Sequence, residues 1–179
     1  MTDQDAPTVR EVRYEAWLPS YAPLLGKIVN SSQVEGNDLA KISGNPHDQG
    51  YDWGLMGPWV NGSTEFSAGV FKMSPDQVHP PHYHPESPEL YYIVDGSCLL
   101  QVDDTIHDVG PETAIYLPAG CVHAVWTREN ESVTIFYAFH ERPGVRVVSI
   151  WLEGEDGKAA RRQDGEARSR GGGQPEAQS

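Results

Sequence analysis

Residues 80–96 read "PPHYHPESPELYYIVDG", and the rest of the chain is best read outward from them. Two histidines stand one residue apart, a Pro-bracketed turn follows, and a glutamate then opens an apolar run. A carboxylate followed by Leu90, Tyr91, Tyr92, Ile93 and Val94 is costly to bury unless something positive meets it. In a strand, residues i and i+2 face the same way, so His82 and His84 project together while Tyr83 points away. Pro85-Glu86-Ser87-Pro88 reverses the chain, and Glu89 starts the returning strand opposite the histidines. Tyr91 and Ile93 share the glutamate's face, whereas Leu90, Tyr92 and Val94 take the other.

A third histidine, His123, follows the tight turn Pro118-Ala119-Gly120 and opens a further strand. Three imidazoles and one carboxylate fill four positions on a first-row divalent ion and leave room for water or substrate. His82, His84, Glu89 and His123 are therefore the candidate ligands of one divalent transition metal, Fe, Mn, Ni, Co or Zn, and the donor set argues against calcium. The metal explains why Glu89 is tolerated. Tyr91 reads either as a core tyrosine or as a site residue whose hydroxyl meets a metal-bound water or substrate. A regular strand through Pro80-Pro81 turns His79 away from the ligand side. His47, His107 and His140 lie in or beside turn-rich segments and read as surface residues.

From Phe66 to Trp151 the chain is a series of short β-branched and aromatic runs: 66–73, 78–84, 89–94, 97–102, 113–118, 123–127, 132–139 and 145–151. Turn residues separate them, and no apolar repeat of helical spacing persists for three turns. The expectation is an all-β domain, an antiparallel jelly-roll barrel. The division expected is an N-terminal extension over 1–65, a barrel over 66–152 and a tail over 153–179. In the extension, "GKIVNSS" looks strand-like. "NPHDQGYDWGLMGPWVNGS" (45–63) reads as an ordered loop, and its Trp53 and Trp59 serve either as a lid or as core caps. The tail has no aromatic residue and hardly an aliphatic one beyond alanine, so it is expected to be disordered.

The chain has 179 residues, enough for a substantial core, with 13 basic and 26 acidic side chains and a net charge of −13. That balance argues against general nucleic-acid binding. No segment approaches the roughly 20 apolar residues that span a bilayer, and the first residues carry no apolar leader, so no membrane association and a cytoplasmic location are expected. Cys98 and Cys121 make no disulfide framework and no CxxC pair.

The spacing His82-x-His84, four residues, Glu89, six residues, Gly96, followed by Pro118-x-Gly120-x-x-His123, resembles the two sequence motifs of the cupin superfamily. The resemblance covers about Phe66 to Trp151 and implies a double-stranded β-helix whose metal is held by three His and one Glu. Where that pattern has a glycine six residues before the first histidine this chain has Asp76, and its closing Asn is Thr127. "HYHPESPELYYIVDG" and "YLPAGCVHA" are most similar to the monocupin flavonol dioxygenases. That likeness implies an oxidoreductase, a dioxygenase that binds a phenolate or enolate at the metal, with Glu89 accepting the substrate proton. Glu89-x-Tyr91 also resembles the dimethylsulfoniopropionate lyases, implying a non-redox lyase, isomerase or cyclase with Tyr91 or Glu89 as base. A small-molecule-binding cupin without catalysis is the third class; retention of all four ligands favours chemistry. Glu89 and Tyr91 are the catalytic candidates. The resemblance further implies a homodimer, with the N-terminal region as its arm.

Overall fold

The computed structural model describes residues 29–58, 60–141 and 147–152. Its strands are β1 (Asn37–Asp38), β2 (Tyr51–Met56), β3 (Phe66–Met73), β4 (Val78–Tyr83), β5 (Glu89–Gly96) and β6 (Cys98–Val102). The series continues with β7 (Thr105–Val109), β8 (Ala114–Leu117), β9 (His123–Trp126), β10 (Val133–His140) and β11 (Ile150–Trp151), and one short helix, α1 (Leu39–Ser43), follows β1. Two antiparallel sheets form, one in the order β1-β2-β3-β10-β5-β8 and the other β11-β4-β9-β6-β7. The chain crosses between sheets after β3, β4 and β5 and again after β7, β8 and β9, the winding of a double-stranded β-helix.

Side-chain alternation decides which face of each strand turns inward. On β5, Glu89, Tyr91 and Ile93 are buried while Leu90, Tyr92 and Val94 are exposed. Register then stacks these inward residues in rows across the large sheet. Glu89 pairs with Phe139 and Phe139 with Ser67; Tyr91 pairs with Tyr137 and Tyr137 with Gly69; Ile93 pairs with Ile135 and Ile135 with Phe71. The Ile93 row packs with Met73, Leu100, Val125 and Val133 into the core that closes one end of the barrel. The other two rows leave the opposite end open. At the β5–β6 turn Gly96 has φ 75°, and a Cβ there would collide with the Ser132 carbonyl. Asp76 takes the left-handed conformation itself, at φ 60°, and Thr127 holds that loop by donating to the Ser74 carbonyl at 2.6 Å. The two departures from the family pattern thus leave the turn intact.

Three local expectations are corrected. Residues 26–28 of "GKIVNSS" lie outside the described residues, and its end is not a strand but enters a 3-10 turn at Ser31–Gln33, because the Asn30 side chain accepts from the Ser32 N–H at 3.0 Å and caps it. The stretch 45–63 is not all loop: Tyr51–Met56 pairs antiparallel with β3 and carries Trp53 away from the barrel interior, beneath the Lys72 ammonium at 5.2 Å. Thr105–Val109, unexpected as a strand, pairs only with β6 and forms a polar sheet edge. The expected tail, residues 1–28 of the expected N-terminal extension and arm, Trp59 and residues 145–146 of the last expected strand lie outside the described residues.

Candidate metal centre

The four residues singled out from the sequence converge. His82 stands near the end of β4, His84 just beyond it, Glu89 opens β5 and His123 opens β9. One potential donor atom from each lies within 4.8 Å of the others. Two backbone features bring them together. His82 pairs directly with His123 in the β4–β9 ladder. The Gly120 N–H donates to the His84 carbonyl at 2.8 Å, tying the turn before β9 to the end of β4.

Each histidine has its Nδ1 occupied. His82 Nδ1–H donates to the Pro80 carbonyl at 2.8 Å, His84 Nδ1–H to Val148 at 3.0 Å and His123 Nδ1–H to Cys121 at 3.0 Å. A carbonyl only accepts, so the proton of each neutral ring sits on Nδ1 and the Nε2 lone pair is left to face the site. His84 Nε2 and His123 Nε2 lie 3.3 and 3.1 Å from the same oxygen, Glu89 Oε2. None of these three buried atoms has a hydrogen-bond partner. Burial pushes the Glu89 carboxyl up, but His123 and His84 outweigh it and hold Glu89 below its ordinary value. Burial, then repulsion from His79, His123 and His84, drives His82 well below the usual imidazole value. An ionised carboxylate and a neutral imidazole, ringed by unpartnered acceptors, fit a divalent cation and meet the chemistry of a first-row metal's donor set.

Tyr91 lies one inward position deeper than Glu89 and is fully buried, edge-on to Phe71 and to His123 with ring centres 5.6 and 5.8 Å apart. Burial, the charges of Glu89 and Asp48 and a hydrogen bond to Glu89 push its hydroxyl well above the usual phenol value. His47, His107 and His140 are exposed, as expected.

His79 is not where a regular strand would put it. Between His79 and His82 the β4–β9 register slips by one residue, so both rings turn to the same side. The bulge falls on Pro80-Pro81, which lack the N–H groups a continuous ladder requires. The His79 ring sits 4.5 Å from that of His82, centre to centre, and its Nδ1 lies 2.6 Å from Asp48 Oδ1. Asp48 is 1% exposed. Burial pushes His79 down, but the charge and hydrogen bond of Asp48 prevail, so the pair forms a buried His–Asp dyad beside the quartet. Sequence reading missed it. The Pro-Pro pair was a signal for the bulge, whereas nothing in "NPHDQG" marks Asp48.

Three of the quartet, His82, His84 and Glu89, and the dyad open onto a cavity of about 380 Å³ with Phe71, Tyr137, Phe139 and Trp151 among its apolar walls. That volume suits a small organic molecule. Trp151 covers His82 at 4.5 Å between ring centres.

Residues 69–139 match the family model described as a cupin domain. Over 104 residues the chain is 33% identical to germin-like protein 9-2 of Oryza sativa subsp. japonica, a match covering 54% of this chain and 48% of that protein. The chain therefore spans about half the length of this curated relative. Among solved structures, the polyketide cyclase RemF from Streptomyces resistomycificus superposes with a TM-score of 0.60 at 24% identity, covering 76% of this chain and 94% of that one. The DMSP lyase DddQ from Ruegeria pomeroyi gives 0.59 at 19% identity over 80% and 79%. At these identities both likenesses concern the fold. No helix among the described residues is long and apolar enough to cross a membrane.

Proposed function

Starting from a chain that carries a cupin domain over residues 69–139, we propose a metal-dependent enzyme that acts on a small enolic or phenolic molecule. His82, His84, Glu89 and His123 hold one divalent transition metal. The observation that carries this reading is the convergence of the unpartnered His84 and His123 Nε2 atoms on the Glu89 carboxylate beside His82, with every Nδ1 already committed to a carbonyl. When bound, the metal supplies Lewis-acid stabilisation of an enolate or phenolate oxygen. The chain's own residues supply the rest. Tyr91 lines the cavity one inward position below Glu89, Phe139 and Trp151 exclude water, and His79, anchored by Asp48, stands within the cavity to take or return a proton.

This dyad favours metal-assisted acid–base chemistry, a cyclase, isomerase or lyase reaction. The dioxygenase reading is the second, favoured by the 82–96 motif, and it assigns substrate deprotonation to Glu89. An oxygen electrode with the metal-loaded protein, screened on phenols, enols and 1,3-dicarbonyls, decides between them. Product formation without oxygen uptake, lost by at least about 10²-fold in His79→Asn at unchanged metal content, is expected for the first. Uptake stoichiometric with product makes the protein a dioxygenase. Failure of His82, His84, Glu89 and His123 to bind any metal refutes both.

The partner proposed for the outer face of the large sheet is a second copy of the chain. Leu90, Tyr92, Val94 and Tyr116 are each at least 40% exposed there, and Leu90 pairs directly with Tyr116. An exposed, contiguous apolar sheet face of this kind marks an interface.

A further inference from the structure

The three ligand histidines are not held alike. His82 and His123 give their Nδ1 protons to carbonyls two residues back in the chain, Pro80 and Cys121. Those acceptors are in place as soon as β4 and the turn into β9 form. His84 stands just beyond β4, and its acceptor is the Val148 carbonyl, 64 residues on. A neutral imidazole carries its proton on either nitrogen, and the hydrogen bond made by one nitrogen decides which of them is left to a metal. The barrel by itself therefore orients His82 and His123, whereas His84 depends on a distant segment.

That segment is a strap, residues 147–152, laid along β4 at the edge of the smaller sheet. Its strand β11 is two residues long: Ile150 pairs with Tyr83 and Trp151 with His82. The Leu152 N–H donates to the Pro81 carbonyl at 2.9 Å, within the bulge of β4. Trp151 covers His82 with the two rings tilted by 33° and stands edge-on to His79, ring centres 5.7 Å apart. Ser149 and Trp151 line the cavity. One short strap thus fixes a ligand ring, covers a second and walls in the dyad. A segment held by a two-residue edge strand opens at a lower free energy than the core of the barrel. A ligand that binds only the closed form then stabilises that form by mass action.

We propose that residues 147–152 are the positioning strap of the metal site: seating Val148 behind His84 and Trp151 over His82 completes the donor set, and the bound metal in turn locks the strap on β4. This rests on the reading that the quartet holds a metal, and it assigns Trp151 and the Val148 carbonyl a positioning role. The coupling is reciprocal by thermodynamic necessity, so loosening the strap weakens metal binding by the factor by which metal tightens the strap. Loss of a group that orients a ligand weakens metal affinity by about 10–100-fold.

Both directions of the coupling are measurable on the full chain with cobalt(II) as the probe. Amide hydrogen exchange, followed by mass spectrometry, should slow by about tenfold or more in 147–152 when cobalt is added to chelator-stripped wild type. Thr105–Val109, the opposite edge of the same sheet, is the internal control and should exchange at an unchanged rate. In the other direction, Leu152→Pro removes the donor to Pro81 and Trp151→Ala uncovers His82. Each should weaken cobalt binding by about tenfold or more, and Trp151→Phe, which keeps a ring over His82, should restore it to within about threefold of wild type. A strap with a merely structural role would lower the melting temperature of stripped protein and leave cobalt affinity where it was. Equal exchange of 147–152 with and without cobalt, or wild-type affinity in Trp151→Ala, overturns the proposal. The exchange measurement uses the wild-type chain, so it decides the matter whichever variant folds. Failure of wild type to take up cobalt at all refutes instead the metal reading on which the strap's role stands.

Discussion

Replacing Glu89 by glutamine is the sharpest test of the quartet, because it removes one charge and hardly any volume. Glu89 Oε2 is the atom shared by His84 Nε2 at 3.3 Å and His123 Nε2 at 3.1 Å, so it is the anionic hub of the cluster. Metal bound only to the folded state stabilises it by about 2.7 kcal/mol when the free metal is roughly 100 times the dissociation constant. For a chain of this size that is a rise in melting temperature of roughly 5–11 °C. Loss even of groups that merely support ligands weakens metal affinity by about 10–100-fold, so loss of the ligating charge should weaken it by at least the upper figure. At the same free metal, Glu89→Gln then sits near its own dissociation constant and gains about 0.4 kcal/mol, a shift of roughly 1 °C. The assay is thermal unfolding of chelator-stripped protein titrated in parallel with manganese, cobalt, nickel and zinc. Calcium should move neither protein, since a set of three imidazoles and one carboxylate suits it poorly. An equal metal-induced shift in wild type and Glu89→Gln, or a shift by calcium as large as that by zinc, refutes the site.

Tyr91→Phe keeps ring and volume but removes a hydroxyl that lines the cavity beside Glu89, so turnover should drop more than about tenfold with metal content intact; unchanged turnover makes Tyr91 a wall residue. Burial, with Asp108 and Glu131 adding to it, pushes the Cys98 thiol up to about 12, so it stays protonated and resists iodoacetamide at pH 8.5 in the native protein, and rapid alkylation there contradicts its placement. A raised thiol value favours the native state below the unfolded thiol's pKa near 9; that share is lost as pH climbs from there toward 12, so melting temperature should fall over this window and fall less in Cys98→Ala. On the outer sheet face, a Tyr92→Glu/Tyr116→Glu double variant should elute as a monomer where the wild type elutes as a dimer, with its melting curve still cooperative; a wild-type protein that is already monomeric by light scattering refutes the second copy.

What the sequence revealed and what it concealed follow one physical line. The period-2 alternation of Glu89, Tyr91 and Ile93 against Leu90, Tyr92 and Val94 is a local property, and so is the projection of His82 and His84 from one face. Local geometry therefore makes His82, His84 and Glu89 legible, and the turn Pro118-Ala119-Gly120 does the same for His123. The missed features are those whose partner is distant in sequence. Tyr51–Met56 contains glycine and tryptophan in a Pro-rich neighbourhood and reads as loop by itself; only pairing with β3 makes it a strand. Asp48 is a turn residue until β4 brings His79 within 2.6 Å of it. Strand parity carried straight through Pro80-Pro81, two residues that cannot sustain a ladder, puts His79 on the wrong face. A one-residue slip at that point reverses the facing of everything before it. The same bulge that defeats the parity rule is what sets a second histidine, with its own carboxylate, against the metal quartet. A regular β4 would face His79 outward, leave Asp48 buried with no cation opposite it, and give the cavity a metal without a neighbouring acid–base pair.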